Sequence, residues 1–244
     1  MSIDPEPWRP SVLLLSCEHG GRDIPSGYEH LFRDAHEVLE SHRGYDLGAL
    51  PVALEMAARI PAPVIFSTVT RLLIDTNRSA TSPDALSEFT RGLPREARDR
   101  IIDQHHTPHR ACVSEIVSAA VDSGRRVLHV GVHSCVDTLG GRARELDVSL
   151  LFDERRAAER ELCERWRREL ERLAPDLRFP FNEPYNGADD GLTTTLRDRF
   201  DPSRYLGIEV ELRQGLVGER AGQKMTAKLL VDSLRAWFPA TCES

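Results

Sequence analysis

One stretch, Val127–Ser134 (VLHVGVHS), restricts the fold of this chain more than any other. Leu128, Val130 and Val132 alternate with Val127, His129, Gly131 and His133. The run is apolar and β-branched enough for a buried strand of a parallel sheet. It gives out at His133. A polar imidazole at that point stands where open α/β sheets place their ligands, outside the carboxyl ends of the strands. Such a sheet gathers its site from several strand ends, so polar residues at the other ends become candidates.

Ser11–Ser16 (SVLLLS) reads as a first buried strand that stops at Cys17-Glu18-His19-Gly20-Gly21. Its glycines let backbone come close to whatever His19 faces; the alternative is a turn histidine. Pro63–Ser67 and Arg71–Asp75 read as further strands, the second running into Asp75-Thr76-Asn77-Arg78. A guanidinium fork with an amide beside it suits a carboxylate, and the alternative is an Asx turn with a solvated arginine. Tyr205–Arg213 (YLGIEVELR) is the last strand and carries Glu209 and Glu211 on one face. A buried carboxylate costs several kcal/mol unless it is paired or binds a metal. Glu211, nearer the carboxyl end, is therefore expected to have a defined partner, unless the strand is an edge with a wet face.

The segments between are expected to be helices and loops. Ile24–Ser41 carries turn signals and then a helical pattern; Asp46–Arg59 is a second helix, with Pro51 in its first turn or at a kink. Asp46 is at the N-cap position, as a capping carboxylate or as a metal ligand. Ser79–Arg95 reads as a loop, and Pro94–Asp122 as helical with three histidines in Gln104–Arg110. His105 and His106 are adjacent and point to different sides, so one histidine of this group, with Arg110, is expected to face a pocket. Asp137–Arg144 is a glycine and arginine loop, and Asp147–Phe152 a strand. Glu154–Leu173 is an outer amphipathic helix, and Ala221–Phe238 closes the chain as another. Phe179–Leu196 is irregular and long enough to cover a cleft. Asn77, Arg78, His109, Arg110, Arg144 and Asn186 are the candidate substrate contacts.

A chain of 244 residues with 40% hydrophobic content supports one large core, and a single α/β domain over 1–244 is expected. The net charge of −7 is a mixture of signs, which argues against nucleic acid as a partner. No apolar span is long enough for a bilayer, and Met1–Pro10 lacks the basic-then-apolar order of a signal peptide. These features predict a cytoplasmic protein with no membrane association. Five scattered cysteines without a C-x-x-C pair read as reduced thiols.

His19, His133 and one carboxylate would leave an open position on tetrahedral zinc, the arrangement of a catalytic site. Glu211 would move the proton of an attacking water, and an arginine would anchor substrate or stabilise an oxyanion. In this light the chain resembles the N-formylglutamate amidohydrolases. The resemblance rests on Ser16–Gly21 with Ile24-Pro25, on Asp46, on Leu73–Ser79 (LIDTNRS), on His105–Arg110, on Val132-His133-Ser134 and on Val210-Glu211-Leu212. It implies a zinc-exopeptidase-like fold, a central mixed, mostly parallel sheet flanked by helices. It also implies one zinc ion and a small acylated amino acid as substrate, with the D-x-N-R arginine contacting that substrate. Kinship with aspartoacylase and the zinc carboxypeptidases would call for an H-x-x-E ligand pair. Here Arg22 stands three residues after His19, so the second ligand comes from elsewhere: Asp46 first, Glu18 as the alternative. A carboxypeptidase-like or peptidoglycan-directed amidase, or a non-catalytic binding protein, would keep the same fold.

Overall fold

Alternation along the central strands sorts their side chains into two sets, and that sorting builds the fold. In the computed structural model, which describes residues 8–238, most of Met1–Pro10 and all of Cys242 lie outside the described part. The strands are β1 (Val12–Cys17), β2 (Val64–Phe66), β3 (Val127–Cys135), β4 (Thr138–Leu139), β5 (Arg142–Ala143), β6 (Val148–Leu151) and β7 (Tyr205–Arg213). Five of them form one sheet in the order β2-β1-β3-β7-β6. All run parallel except β6, which pairs antiparallel with β7. The result is an α/β fold with a central mixed, mostly parallel sheet flanked by helices.

The helices are α1 (His36–Leu39), α2 (Ala49–Arg59), α3 (Arg95–Ile101), α4 (Thr107–Asp122), α5 (Ala157–Leu173), α6 (Leu192–Arg199), α7 (Gln214–Val217) and α8 (Arg220–Leu234). On one face of the sheet, Leu13, Leu15, Leu128, Val130, Val132, Leu206, Ile208, Val210 and Leu212 pack against α2, α5 and α8. Each such side chain contributes roughly 1.5–3 kcal/mol when fully buried. Trp166 of α5 is fully buried here, and its indole N–H donates to Ser233 Oγ at 2.8 Å.

The opposite face changes character along its length. At the amino end Leu14, Val127 and Tyr205 pack against α4 and α6. In the middle, buried His129 lies between Tyr205 Oη (2.9 Å) and Ser16 Oγ (2.7 Å), which satisfies both ring nitrogens. At the carboxyl end the same face presents His133, Glu209 and Glu211. Gly131 makes room there, since a Cβ on it would stand 3.3 Å from Glu209 Cγ. The chain passes from β1 to β2 on one side and then to β3 on the other side of β1. The crevice between β1 and β3 is thus the topological switch point, where such sheets bind ligands.

Several boundaries differ from those read in the sequence. Arg71–Asp75 is not a strand but a buried turn: Leu73 N–H donates to Thr70 O, and Thr70 Oγ1 donates to Gly44 O. Leu72, Leu73 and Ile74 owe their apolar character to a separate cluster with Phe32, Ala85 and Ile101. Ile24–Ser41 yields only a 3-10 turn at Glu29–Phe32 and the single turn of α1. The helix expected from Asp46 begins at Ala49 with Gly48 as its cap, leaving the Asp46 side chain free for other work. Asp137–Arg144 contains the β4–β5 hairpin, and Phe179–Leu196 turns helical from Leu192. Between α3 and α4 the backbone widens into a π segment over Ile102–His106. Since β7 lies between β3 and β6, Glu209 and Glu211 are not on an edge strand.

The irregular stretch before α6 is pinned at Gly187. Buried Arg197 donates to the Gly187 and Gly207 carbonyls and pairs with Glu159 at 2.9 Å. A Cβ on Gly187 would meet Phe152 N at 2.1 Å and Leu151 C at 2.5 Å, both backbone atoms that cannot swing away. Gly187→Ala is expected to cost about 1–3 kcal/mol, read as a lower denaturant midpoint. An unchanged midpoint would mean that this segment is not held against β6.

Candidate active site

Two strand ends and a loop meet at the switch point. His19 follows β1, and its carbonyl accepts the backbone N–H of Asp46 at 2.9 Å, which brings that carboxylate to the end of β1. His133 lies near the end of β3. Asp46 Oδ2 is 3.3 Å from His19 Nδ1 and 3.0 Å from His133 Nδ1. His19, Asp46 and His133 thus offer three buried donor atoms that all lie within 4.8 Å of one another.

Each imidazole is turned by a carboxylate on its far side. His19 Nε2 is 2.7 Å from Asp75 Oδ1, and His133 Nε2 is 3.1 Å from Glu18 Oε2. Each ring thus has a carboxylate at Nε2 and its Nδ1 toward Asp46, like metal-bound histidines that are backed by carboxylates. Ligand atoms around a tetrahedral ion with bonds of ~2.0 Å lie about 3.3 Å apart, close to the two distances from Asp46 Oδ2 to the imidazoles, 3.3 and 3.0 Å. His19, Asp46 and His133 are thus a group that could hold a divalent metal.

Glu211 is the Cα partner of His133 across β3 and β7, so their side chains stand together on one face. Burial pushes its carboxyl up to about 8, and the Asp46 charge adds to this while His133 opposes it. For Asp46 the outcome is reversed: burial would raise its value, but His19 and His133 together hold it low. Asp75 is likewise held well below the usual carboxylate range, because Arg71 and His19 outweigh burial. Burial and Glu211 push the Cys135 thiol up to about 12, so it is no nucleophile near neutral pH.

His19, Asp46, His133 and Glu211 stand at the floor of a cleft of about 200 Å³. Asn77, Arg78, Arg144 and Asn186 line it as well. The turn before Arg78 is indeed Asx-like, with Asp75 Oδ1 accepting Asn77 N–H at 3.0 Å. Arg78 is half-buried, however, and donates to Asp190 O at 2.6 Å. Asn77 Oδ1 accepts the first N–H of α6, from Leu192, at 2.8 Å. Arg144 stacks over Tyr185, its guanidinium carbon 5.5 Å from the ring centroid, and its Nε and Nη1 are shielded from solvent without a protein partner.

His109 and Arg110 require correction: neither lines the cleft. Arg110 Nη1 donates to the carbonyls of Thr76, Asn77 and Arg78 at 3.2, 2.7 and 3.1 Å. His106 Nε2 meets Arg78 O at 2.8 Å, and His109 Nε2 is 3.5 Å from Glu18 Oε1. One face of this helix therefore buttresses the site from behind. Conversely, Arg71 was read only as part of a strand, yet it reaches the cleft with Nη2 2.6 Å from Asp75 Oδ2 and Nη1 3.5 Å from Asp46 Oδ1. Its spacing of four from Asp75 was visible; the turn that joins them was not.

A model of the N-formylglutamate amidohydrolase family matches residues 11–217. Among solved structures, the gene product Atu2144 of Agrobacterium tumefaciens aligns with a TM-score of 0.78 at 29% identity, over 93% of this chain and 90% of that one. The N-formylglutamate amidohydrolase of Ralstonia eutropha JMP134 aligns with a TM-score of 0.69 at 19% identity, over 96% of this chain and 95% of that one, a likeness of fold. A search of curated proteins finds no significant match.

The geometry predicts a pH-dependent cation site. To take a cation, each ligand imidazole must be without a proton at Nδ1. Burial works against charging His133, but Asp46 and Glu18 raise it well above the ordinary histidine value; His19 is raised too, by Asp75 and Asp46 against burial and Arg71. Below those values two protons must be displaced, so zinc affinity falls as pH falls, by up to about 100-fold per pH unit. Chelator competition between pH 8 and 5.5 measures this, and a flat profile would exclude the site. His133→Ala should lose zinc while keeping its circular dichroism spectrum.

Proposed function

Because the chain belongs to the N-formylglutamate amidohydrolase family, we propose that it hydrolyses the N-formyl or other N-acyl amide of an acidic amino acid such as N-formyl-L-glutamate. In this reading His19, Asp46 and His133 hold one zinc ion and Glu211 is the general base. One observation carries it: two carboxylate-backed imidazoles aim their Nδ1 atoms at the Asp46 carboxylate, beside a buried glutamate, at the floor of a cleft.

When bound, zinc supplies a Lewis acid for the acyl carbonyl and makes a water acidic near neutral pH. The rest belongs to the chain. Glu211 accepts the proton of the attacking water and delivers it to the leaving nitrogen, a task that needs a group able to hold and release a proton near neutral pH. Its burial beside Asp46 puts its affinity for protons in that region, and a cation at the cluster favours the ionised form needed to begin.

Substrate carboxylates would be met by Arg78 and Arg144. Arg78 stands on the turn that backs His19, while the Arg144 guanidinium is stacked on Tyr185 with Nε and Nη1 lacking a protein partner. A planar guanidinium takes a carboxylate through two parallel hydrogen bonds. Asn77, from the Asp75–Arg78 turn, and Asn186, from the covering segment, would orient the substrate, and Arg71 lies close enough to Asp46 and Asp75 to offset part of their charge.

Glu211→Gln should keep zinc and fold while lowering turnover by about 10²–10⁴-fold. Turnover on N-formyl-L-glutamate, normalised to zinc-loaded protein, is the measurement; near-parental turnover would remove Glu211 from the chemistry. Arg78→Lys and Arg144→Lys keep the charge but lose the fork, so each should raise KM with zinc content unchanged. Side-by-side assays on formyl, acetyl and peptidyl substrates test the substrate class, and peptidyl preference would overturn it.

A further inference from the structure

Two carboxylates back the ligand imidazoles, and they are held in different ways. Asp75 is engaged on all sides, by His19, Arg71 and the backbone N–H groups of its own turn. Glu18 is 2% exposed and meets only imidazoles. Its Oε2 lies 3.1 Å from His133 Nε2, and its Oε1 lies 3.5 Å from His109 Nε2. Oε1 and both Nε2 atoms are sealed from solvent, and none of the three makes a directed hydrogen bond, so they meet as close charge partners. A carboxylate in such a place is costly unless its contacts matter. Its backbone is fixed from the Asp75–Arg78 turn, where Thr76 Oγ1 donates to Glu18 O at 3.0 Å.

We infer that Glu18 is a positioning residue for His133: its carboxylate stands against Nε2, favours the ring orientation with Nδ1 toward Asp46, and is itself steadied by His109 of α4. The inference rests on the metal site of the preceding reading. Glu18 and His19 are adjacent, so their side chains leave the strand end in opposite directions. His19 goes to the cluster and Glu18 goes beneath it, to the far side of the second ligand. On that side the Glu18 carboxylate, 3.1 Å from Nε2, is the charged group that distinguishes the two ring orientations of His133. His109 shares a helical face with His106 and Arg110, which hold the turn behind His19. The same face thereby supports both ligand imidazoles, one through the Asp75–Arg78 turn and one through Glu18.

The test uses the full chain and zinc as the probe. Zinc affinity is measured by chelator competition for the parent, Glu18→Gln, Glu18→Ala, His109→Leu and the Glu18→Ala/His109→Leu pair. Melting of the zinc-free forms and ring-nitrogen NMR of histidine-labelled, zinc-loaded protein accompany it. Glu18→Ala should weaken zinc binding by about 10–100-fold and displace the His133 ring resonances, while those of His19 stay in place. Glu18→Gln, whose amide oxygen can accept a hydrogen bond, should fall between, and it carries the test if Glu18→Ala does not fold. His109→Leu should weaken binding less, and should add nothing once Glu18 is removed. A parent that holds no zinc overturns the metal site and this inference together. A parent that holds zinc as tightly as its Glu18 variants overturns the inference alone, as does loss of affinity with the His133 resonances unmoved.

Discussion

Everything at the switch point depends on how the buried charge of Asp46 is compensated. A lone carboxylate moved into this interior would be protonated instead of ionised. Here two imidazoles face it, and Ser134 N–H reaches the same oxygen at 3.3 Å. Each imidazole in turn needs something on its far side, or its ring has no fixed orientation. Asp75 and Glu18 supply that, and their own charges are met by Arg71, the turn backbone and His109. The cluster is therefore a nested set of pairings in which removal of one member leaves another buried and unpaired.

That requirement explains where the sheet becomes polar. One face is apolar from end to end and carries the core against α2, α5 and α8. The other is apolar only at its amino end. From there it passes through the His129 network, in which burial lowers the imidazole to about 4 and so keeps it neutral, and ends in His133, Glu209 and Glu211. The strand pairing that aligns Gly131 with Glu209 and His133 with Glu211 places the smallest residue beside a glutamate that needs room. A shift of one residue in that register would turn both glutamates into the apolar core, so burial of the one face fixes the geometry of the other.

Much of this was legible in the sequence because it depends on periodicity and strand ends. Val127–Ser134, Ser11–Ser16 and Tyr205–Arg213 were readable as strands, and His19, His133 and Glu211 stood out as polar residues where apolar runs give out. The two readings of Asp46 were not separable from sequence, since cap and ligand use the same side chain. Only the start of α2 at Ala49, three residues later, frees it. Arg71–Asp75 misled because an apolar run reports burial, not strand pairing, and here the burial is in a satellite cluster. His109 and Arg110 misled for a related reason. Their spacing places them on one helical face, but not which side of the site that face meets.

The same distinction bears on what each side of the cleft can change without losing the chemistry. The floor is over-determined: His19, Asp46 and His133 are each held by at least one buried partner, and those partners are held by α4 and the Asp75–Arg78 turn. The walls are held differently. Arg144 follows a two-residue hairpin and stacks on Tyr185 with two of its nitrogens unengaged, and Asn186 belongs to an irregular segment pinned through Gly187 and Asn182. Side chains on such segments can be exchanged at the cost of a contact or two, while a floor residue cannot be replaced without stranding a buried charge. On the proposed function, substrate preference would therefore reside in the β4–β5 hairpin and the stretch before α6, and the bond-breaking chemistry in the strand ends beneath them.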